Sequence, residues 1–251
     1  MKKSEKNFIY KIVEKLLSNF TDKIVCISKA EYQSAITNGI DNGDKLRIIE
    51  NGINVQAVCD AKPVERHELG IPSDAFVVGM IGRVSPQKAP DIFIKAARLI
   101  SEKIPNTYYI IVGSGEEEEE VKQYAQKHGL NLIITGWTDK PYSYLKIFDI
   151  AVLLSRWEGF GLAIAEYMAA EKNLVATNVD AIPTIVENGV DGKLVSVDSP
   201  QEVADQVYFY YTHPVEAKAM RGKAKEKVEK MYDISRVVLQ HKELFQELYN
   251  H

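Results

Sequence analysis

Two glutamates, Glu158 and Glu166, bracket the turn Gly159-Phe160-Gly161-Leu162 and are the side chains in this sequence best placed to do chemistry. A carboxylate accepts hydrogen bonds from both hydroxyls of a vicinal diol, as a ribose presents, and Glu166 is a candidate for that contact. Glu158, nearer the loop, could meet a second polyol or stabilise positive charge on a reacting sugar carbon. Glycines at 159 and 161 let the backbone come close to a ligand, and the amides around Phe160, Gly161 and Leu162 point where an anion would rest. The plain alternative is an exposed loop acid and a helix-surface acid. Against it, Glu166 lies among Ala163, Ala165, Ala169 and Ala170, a small-residue face suited to close packing, where an unpaired carboxylate is costly to desolvate.

Other loops carry complementary groups. In Gly82-Arg83-Val84-Ser85-Pro86-Gln87-Lys88, a guanidinium fork and an ammonium can together neutralise a diphosphate without a metal, although two exposed loop cations would read the same. Gly113-Ser114-Gly115 could admit a base or a sugar close to the backbone, or could be only a tight turn. At Thr135-Gly136-Trp137, backbone groups could hydrogen-bond a nucleobase edge, with Trp137 as wall or stacking surface, or the indole could serve packing.

These loops need elements to hold them. From residue 76 onward, short apolar strands alternate with helical patterns: strands at 76–81, 108–112, 132–134, 150–154, 174–176 and 193–197, and helices near 90–103, 116–128, 141–148, 162–170 and 182–187. That alternation predicts an α/β fold, a Rossmann-like parallel sheet with helices on both faces, and puts the four loops at the carboxyl ends of strands, where open sheets bind ligands. Helical patterns at 200–212, 215–230 and 234–249 predict a helical C-terminus. Upstream, residues 1–53 hold two strands and two helices, too little for a full domain, and 54–75 reads as a linker with a short helical piece around Val64 to Leu69. A Lys-rich helix over residues 5–20 reads as an ordinary core-packing helix, with an anionic membrane surface as its alternative.

Composition narrows the classes. The 251 residues carry 31 basic and 35 acidic side chains, and this slight acidic balance argues against a nucleic-acid groove. Only Cys26 and Cys59 occur, so a disulfide framework is not expected and a cytoplasmic setting is the default. No apolar run approaches the ~20 residues a membrane span needs.

Taken together, Gly82-Arg83-(x4)-Lys88, Gly113-Ser114-Gly115 and Glu158-(x7)-Glu166 resemble the donor-binding half of GT-B glycosyltransferases, in particular the retaining family 4, and Glu158-Gly159-Phe160-Gly161-Leu162 matches that family's usual wording. The resemblance implies transfer of a hexosyl group from a nucleoside diphosphate sugar to an acceptor glycan or lipid-linked sugar, in polysaccharide or glycoconjugate synthesis. It puts Arg83 and Lys88 on the diphosphate, Glu166 on the ribose and Glu158 on the transferred sugar, and implies no metal or other cofactor. Gly82, Gly113, Gly136, Trp137, Phe160, Gly161 and Leu162 complete the expected donor site. It also divides the chain into 1–53, a remnant of an acceptor domain, 54–75, a linker, 76–233, the nucleotide-sugar domain, and 234–251, a helix crossing back. The rest of the acceptor domain would belong to the native chain or to a partner. The alternative reading is a non-catalytic nucleotide-sugar-binding module that needs such a partner. Three departures from the family stand out: Ala89, Glu171 and Asp180-Ala181 occupy places where it usually has glycine.

Overall fold

The structure, a computed structural model, describes residues 3–250, and side chains from residue 10. Met1, Lys2 and His251 of the expected terminal segments lie outside the described residues, as do the side chains of Phe8 and Ile9 in the first helix.

The chain opens with α1 (Lys3–Ser18), β1 (Ile24–Cys26), α2 (Lys29–Thr37) and β2 (Leu46–Ile48), with β1 and β2 paired in parallel as a two-stranded sheet. Ser28 caps α2 by accepting the Glu31 N–H. So small a sheet cannot cover α1. Ile12, Val13, Leu16 and Leu17 stay exposed, and Phe20 just beyond is 89% exposed. The expectation of an ordinary core-packing helix is therefore corrected: among the described residues, α1 has an apolar face with no core beneath it.

The stretch 54–75, expected as a linker, is built into the packing instead. Asn54 accepts the Ala57 N–H at 2.9 Å and starts α3 (Val55–Asp60), a single 3-10 turn follows at Arg66–Leu69, and Val58, Ile71 and Ala75 join the main core. An apolar pattern of two valines three apart is too short to show periodicity in the sequence.

The large sheet comprises β3 (Phe76–Ile81), β4 (Thr107–Val112), β5 (Asn131–Ile134), β6 (Ile150–Leu153), β7 (Asn173–Thr177) and β8 (Lys193–Val195), in spatial order β5-β4-β3-β6-β7-β8 with every neighbouring pair parallel. Between strands run α4 (Pro90–Lys103), α5 (Glu118–His128), α6 (Pro141–Leu145), α7 (Leu162–Ala169) and α8 (Ile182–Ile185). Strand side chains alternate between two cores. Val78, Met80, Ile111 and Val152 face one with α4 and α5, while Val77, Ile110, Ala151 and Leu153 face the other with α6 and α7. Burial on both faces explains why these strands read as unbroken apolar runs.

Three helices close the chain: α9 (Pro200–Thr212), α10 (Pro214–Met231) and α11 (Ile234–Tyr249). The start of α11 is tied to the segment before α3, with the Ile53 N–H donating to Tyr232 O at 2.9 Å and the Ile234 N–H donating to Ile53 O at 2.8 Å. Its far end reaches the small sheet, where Glu247 lies 3.4 Å from Arg47 and 3.7 Å from Lys23. Val238, Leu239 and Phe245 on α11 are exposed.

Candidate functional site

The strand order reverses between β3 and β6, the place where an open α/β sheet opens a crevice at its carboxyl edge. The loops that leave these two strands, 82–89 and 154–161, carry Arg83, Lys88 and Glu158. The structure joins two of them directly: the Lys88 ammonium and the Glu158 carboxylate form an ion pair, with side chains only 19% and 12% exposed. Ser155 donates its hydroxyl to the same carboxylate oxygen at 3.0 Å. The Glu158 backbone N–H donates to Asp180 at 2.9 Å, so a third loop, after β7, helps fix the turn.

Arg156 bolts these loops together. Its Nε reaches Asp198 at 2.7 Å, one terminal nitrogen donates to Pro86 O at 2.7 Å, and the other grips both Asp91 oxygens at 2.9 and 3.0 Å. Its backbone N–H donates to Gln87 O at 2.8 Å, and Gln87 returns a bond to Trp157 O at 3.0 Å. Burial works against charge on Asp91, yet hydrogen bonds from Lys95 and Arg156 hold its carboxyl below the usual range. A rigid fork suits this task because its donors point in fixed, divergent directions.

Gly161 opens α7 with φ 92°, a left-handed turn that carries no penalty without a Cβ. No side chain caps α7, which leaves its first amides without a side-chain partner. Phe160 contributes only its backbone there. Its ring is buried edge-on against Tyr232, with centroids 5.6 Å apart, so the side chain serves the core, while Leu162 is half exposed.

One turn into α7, Glu166 accepts a hydrogen bond from the Tyr142 hydroxyl at 2.9 Å. Burial pushes the Glu166 carboxyl above its ordinary range, and the tyrosine offsets that only in part. Burial, with Glu166 beside it, pushes the Tyr142 phenol up to about 12. The carboxylate on the small-residue face thus has a partner.

On the other side, Gly82, Arg83, Gly113, Ser114 and Trp137 line a cavity of about 400 Å³. The Val84 N–H donates to Ser114 O at 3.0 Å, and a Cβ on Gly113 would fall 2.1 Å from Gly82 O, so the loops after β3 and β4 touch backbone to backbone. Gly113 and Gly136 are bridged in turn. Trp137 is 81% exposed at the rim, free of the core, and the Arg83 guanidinium makes no hydrogen bond or ion pair among the described residues. Each expected site residue therefore lies on this one edge. Sequence reasoning gave no role to Ser155, Arg156 and Tyr142. The first two stood inside the conspicuous stretch, and Tyr142 carried no signal of its own.

The three departures from glycine share one feature: Ala89 has φ 51°, Glu171 φ 54° and Asp180 φ 48°. The backbone keeps the left-handed turns that glycine would favour, with side chains that strain them.

The sequence model of the family described as glycosyl transferases group 1 matches residues 61–230. The chain belongs to that family. It is 29% identical over 206 residues to the UDP-Gal:alpha-D-GlcNAc-diphosphoundecaprenol alpha-1,3-galactosyltransferase of Escherichia coli, covering 78% of this chain and 53% of that protein. It spans about half the length of the curated relatives it matches. Among solved structures, HepE of Anabaena in complex with UDP and glucose superposes with a TM-score of 0.85 at 23% identity, covering 94% of this chain and 66% of that one. The C-terminal domain of LpcC, a group 1 family protein from Francisella tularensis, is 26% identical with a TM-score of 0.65, covering 73% of this chain and all of that one. The fold is that of the Rossmann-like half of GT-B glycosyltransferases, with a helical C-terminus. Among the described residues, no helix is long and apolar enough to cross a membrane.

Proposed function

We propose that this group 1 glycosyltransferase chain is the donor-binding part of a retaining enzyme of family 4, which moves a hexosyl group from a nucleoside diphosphate sugar to an acceptor in polysaccharide or glycoconjugate synthesis. The observation that carries the reading is the convergence of Arg83, Lys88, the open amides of α7 and Glu158 on one crevice at the strand-order reversal. Arg83, Lys88 and the α7 amides hold the diphosphate and stabilise its charge as it leaves. Glu166, oriented by Tyr142, takes the ribose hydroxyls. Gly136 and Trp137 border the base, and Glu158 orients the hexose. The bond from the anomeric carbon to the phosphate oxygen breaks, the acceptor oxygen bonds to that carbon on the same face, and the acceptor proton passes to the departing phosphate oxygen. No metal is needed, because two cations and a helix terminus meet the diphosphate charge. The exposed apolar faces of α1 and α11 support the division proposed for the chain, in which an acceptor half packs over residues 1–53 and the last helix.

Calorimetry with UDP, GDP and ADP tests the site. Binding of one nucleoside diphosphate, lost in Arg83→Ala and Glu166→Ala, is expected. Failure of all of them to bind the folded wild-type chain sinks the reading. Donor hydrolysis or transfer in the presence of an acceptor half separates an enzyme from a binding module.

A further inference from the structure

At the opposite edge of the large sheet lies a second hollow, of about 580 Å³, lined by residues at the amino ends of its strands. Phe76 begins β3, Asp149 precedes β6, Lys172 and Asn173 lead into β7, and Tyr211, Pro214 and Arg221 close it from α9 and α10. None of these residues belongs to the crevice described above. The volume is that of a small-molecule pocket.

Its charges do not cancel. The acids are already engaged: Asp149 accepts the Val77 N–H at 2.8 Å with Arg66 at 3.7 Å, and Glu171 pairs with Lys225 at 2.5 Å. Arg221 makes no hydrogen bond or ion pair among the described residues. Lys172 donates to Lys146 O at 2.7 Å and Phe148 O at 2.9 Å, which leaves its third donor unused and no carboxylate in ion-pair range. Burial pulls the Lys172 ammonium down to about 8, and Lys146, Arg221 and Arg66 push the same way against Asp149. Lys172 and Arg221 thus lie together with no carboxylate in ion-pair range among the described residues, and the nearest acids, Asp149 and Glu171, act on them only at longer range while paired with Arg66 and Lys225. Beside them, Tyr211 stands edge-on to Phe76, with ring centroids 5.3 Å apart, and forms with Pro214 an apolar wall.

We propose that this hollow binds a small phosphate monoester, with its phosphoryl oxygens on Arg221 and Lys172 and its carbon body along Tyr211 and Pro214. A fork and an ammonium suit a phosphoryl group, and the wall suits an organic substituent that bare phosphate lacks. The inference stands apart from the donor reading, since it uses none of the donor residues. α7 runs between the two sites, with Gly161 at one end and Glu171-Lys172 at the other.

The test is calorimetric titration of the chain with inorganic phosphate and with a hexose monophosphate, at constant ionic strength. Arg83→Ala is included because the crevice could also take phosphate. Saturable binding is expected in wild type and in Arg83→Ala, and at least about tenfold weaker binding in Arg221→Gln, given the strength of charge-assisted hydrogen bonds. Arg221→Gln changes a partly buried side chain without hydrogen bonds among the described residues, and its unchanged melting temperature without ligand would show that it folds. Tighter binding of the ester than of phosphate supports the proposal as stated. Binding of phosphate alone, binding lost in Arg83→Ala but kept in Arg221→Gln, or no saturation at millimolar ligand overturns it.

Discussion

Replacing Glu158 by glutamine is expected to tighten the binding of a nucleoside diphosphate while lowering transfer. The Lys88 ammonium is held by the Glu158 carboxylate, which also takes the Ser155 hydroxyl at 3.0 Å. A diphosphate that recruits Lys88 must first break that pair. Charge-assisted hydrogen bonds contribute about 1.5–3 kcal/mol when shielded. With side chains 19% and 12% exposed the pair is partly screened, so a discounted value of about 1–1.5 kcal/mol is appropriate. Glutamine keeps the shape and loses the charge, so it frees Lys88 at much lower cost. A dissociation constant lower by roughly tenfold follows, since about 1.4 kcal/mol is a factor of ten. The intact donor should gain less, because its hexose loses the Glu158 carboxylate. Calorimetry on wild type, Glu158→Gln, Lys88→Met and the double variant reads both effects, and the gain should vanish once Lys88 is gone. Unchanged or weaker diphosphate binding by a folded Glu158→Gln chain would refute the reasoning, because Lys88 would then not be held back by its partner.

Arg156→Met should lower transfer by about ten- to a hundredfold, because misplacing a binding group by an ångström costs on that order. Arg156→Lys should rescue little of it, since one ammonium cannot meet Asp91, Asp198 and Pro86 O together, and steady-state kinetics of the three forms check this. Glu166→Gln should raise the melting temperature at neutral pH while weakening nucleotide binding. The folded carboxyl is raised by burial, so the native state holds its proton to higher pH than the unfolded chain, and its charge costs stability above that range. The stability advantage of Glu166→Gln should therefore shrink as pH falls from neutral toward the ordinary glutamate value of about 4.3 and be gone below it, which melting curves across pH would show. Ala89→Gly should stabilise the chain by up to about 1 kcal/mol, the left-handed penalty of about 1–2 kcal/mol less the entropy glycine adds to the unfolded state. Denaturant titration measures it.

How much of this was legible in the sequence depended on the range of the interaction. Strand 76–81 and helices 90–103, 200–212 and 234–249 agree with β3, α4, α9 and α11 as drawn, because unbroken apolar runs and Pro or Asp at the helix starts mark them locally. Strand ends elsewhere moved by one or two residues, as fraying and pairing decide them. Within 54–75 the helical piece expected around 64–69 appears as the turn at Arg66–Leu69, while α3 escaped, although Asn54 is a capping residue, because six residues hold too little periodicity. In the site, glycines and isolated charges marked the loops, yet the contacts that organise them join positions far apart in sequence. Tyr142 meets Glu166 across 24 residues and Arg156 meets Asp91 across 65, and neither end looks unusual alone.

The departures from glycine bring both kinds of information together. All three have a left-handed backbone, the geometry that glycine adopts without penalty. At two of them the new side chain supplies something glycine lacks: Asp180 accepts the Glu158 N–H at 2.9 Å, and Glu171 pairs with Lys225 at 2.5 Å. Asparagine and aspartate also tolerate this region better than other residues. Ala89, fully buried with a methyl group and no polar atom, supplies no such contact. Strain offset by new bonds at 171 and 180, and left standing at 89, explains why Ala89 is the position where restoring glycine should help. At Asp180 the same change should instead release the Glu158 turn and, with it, the hold on Lys88.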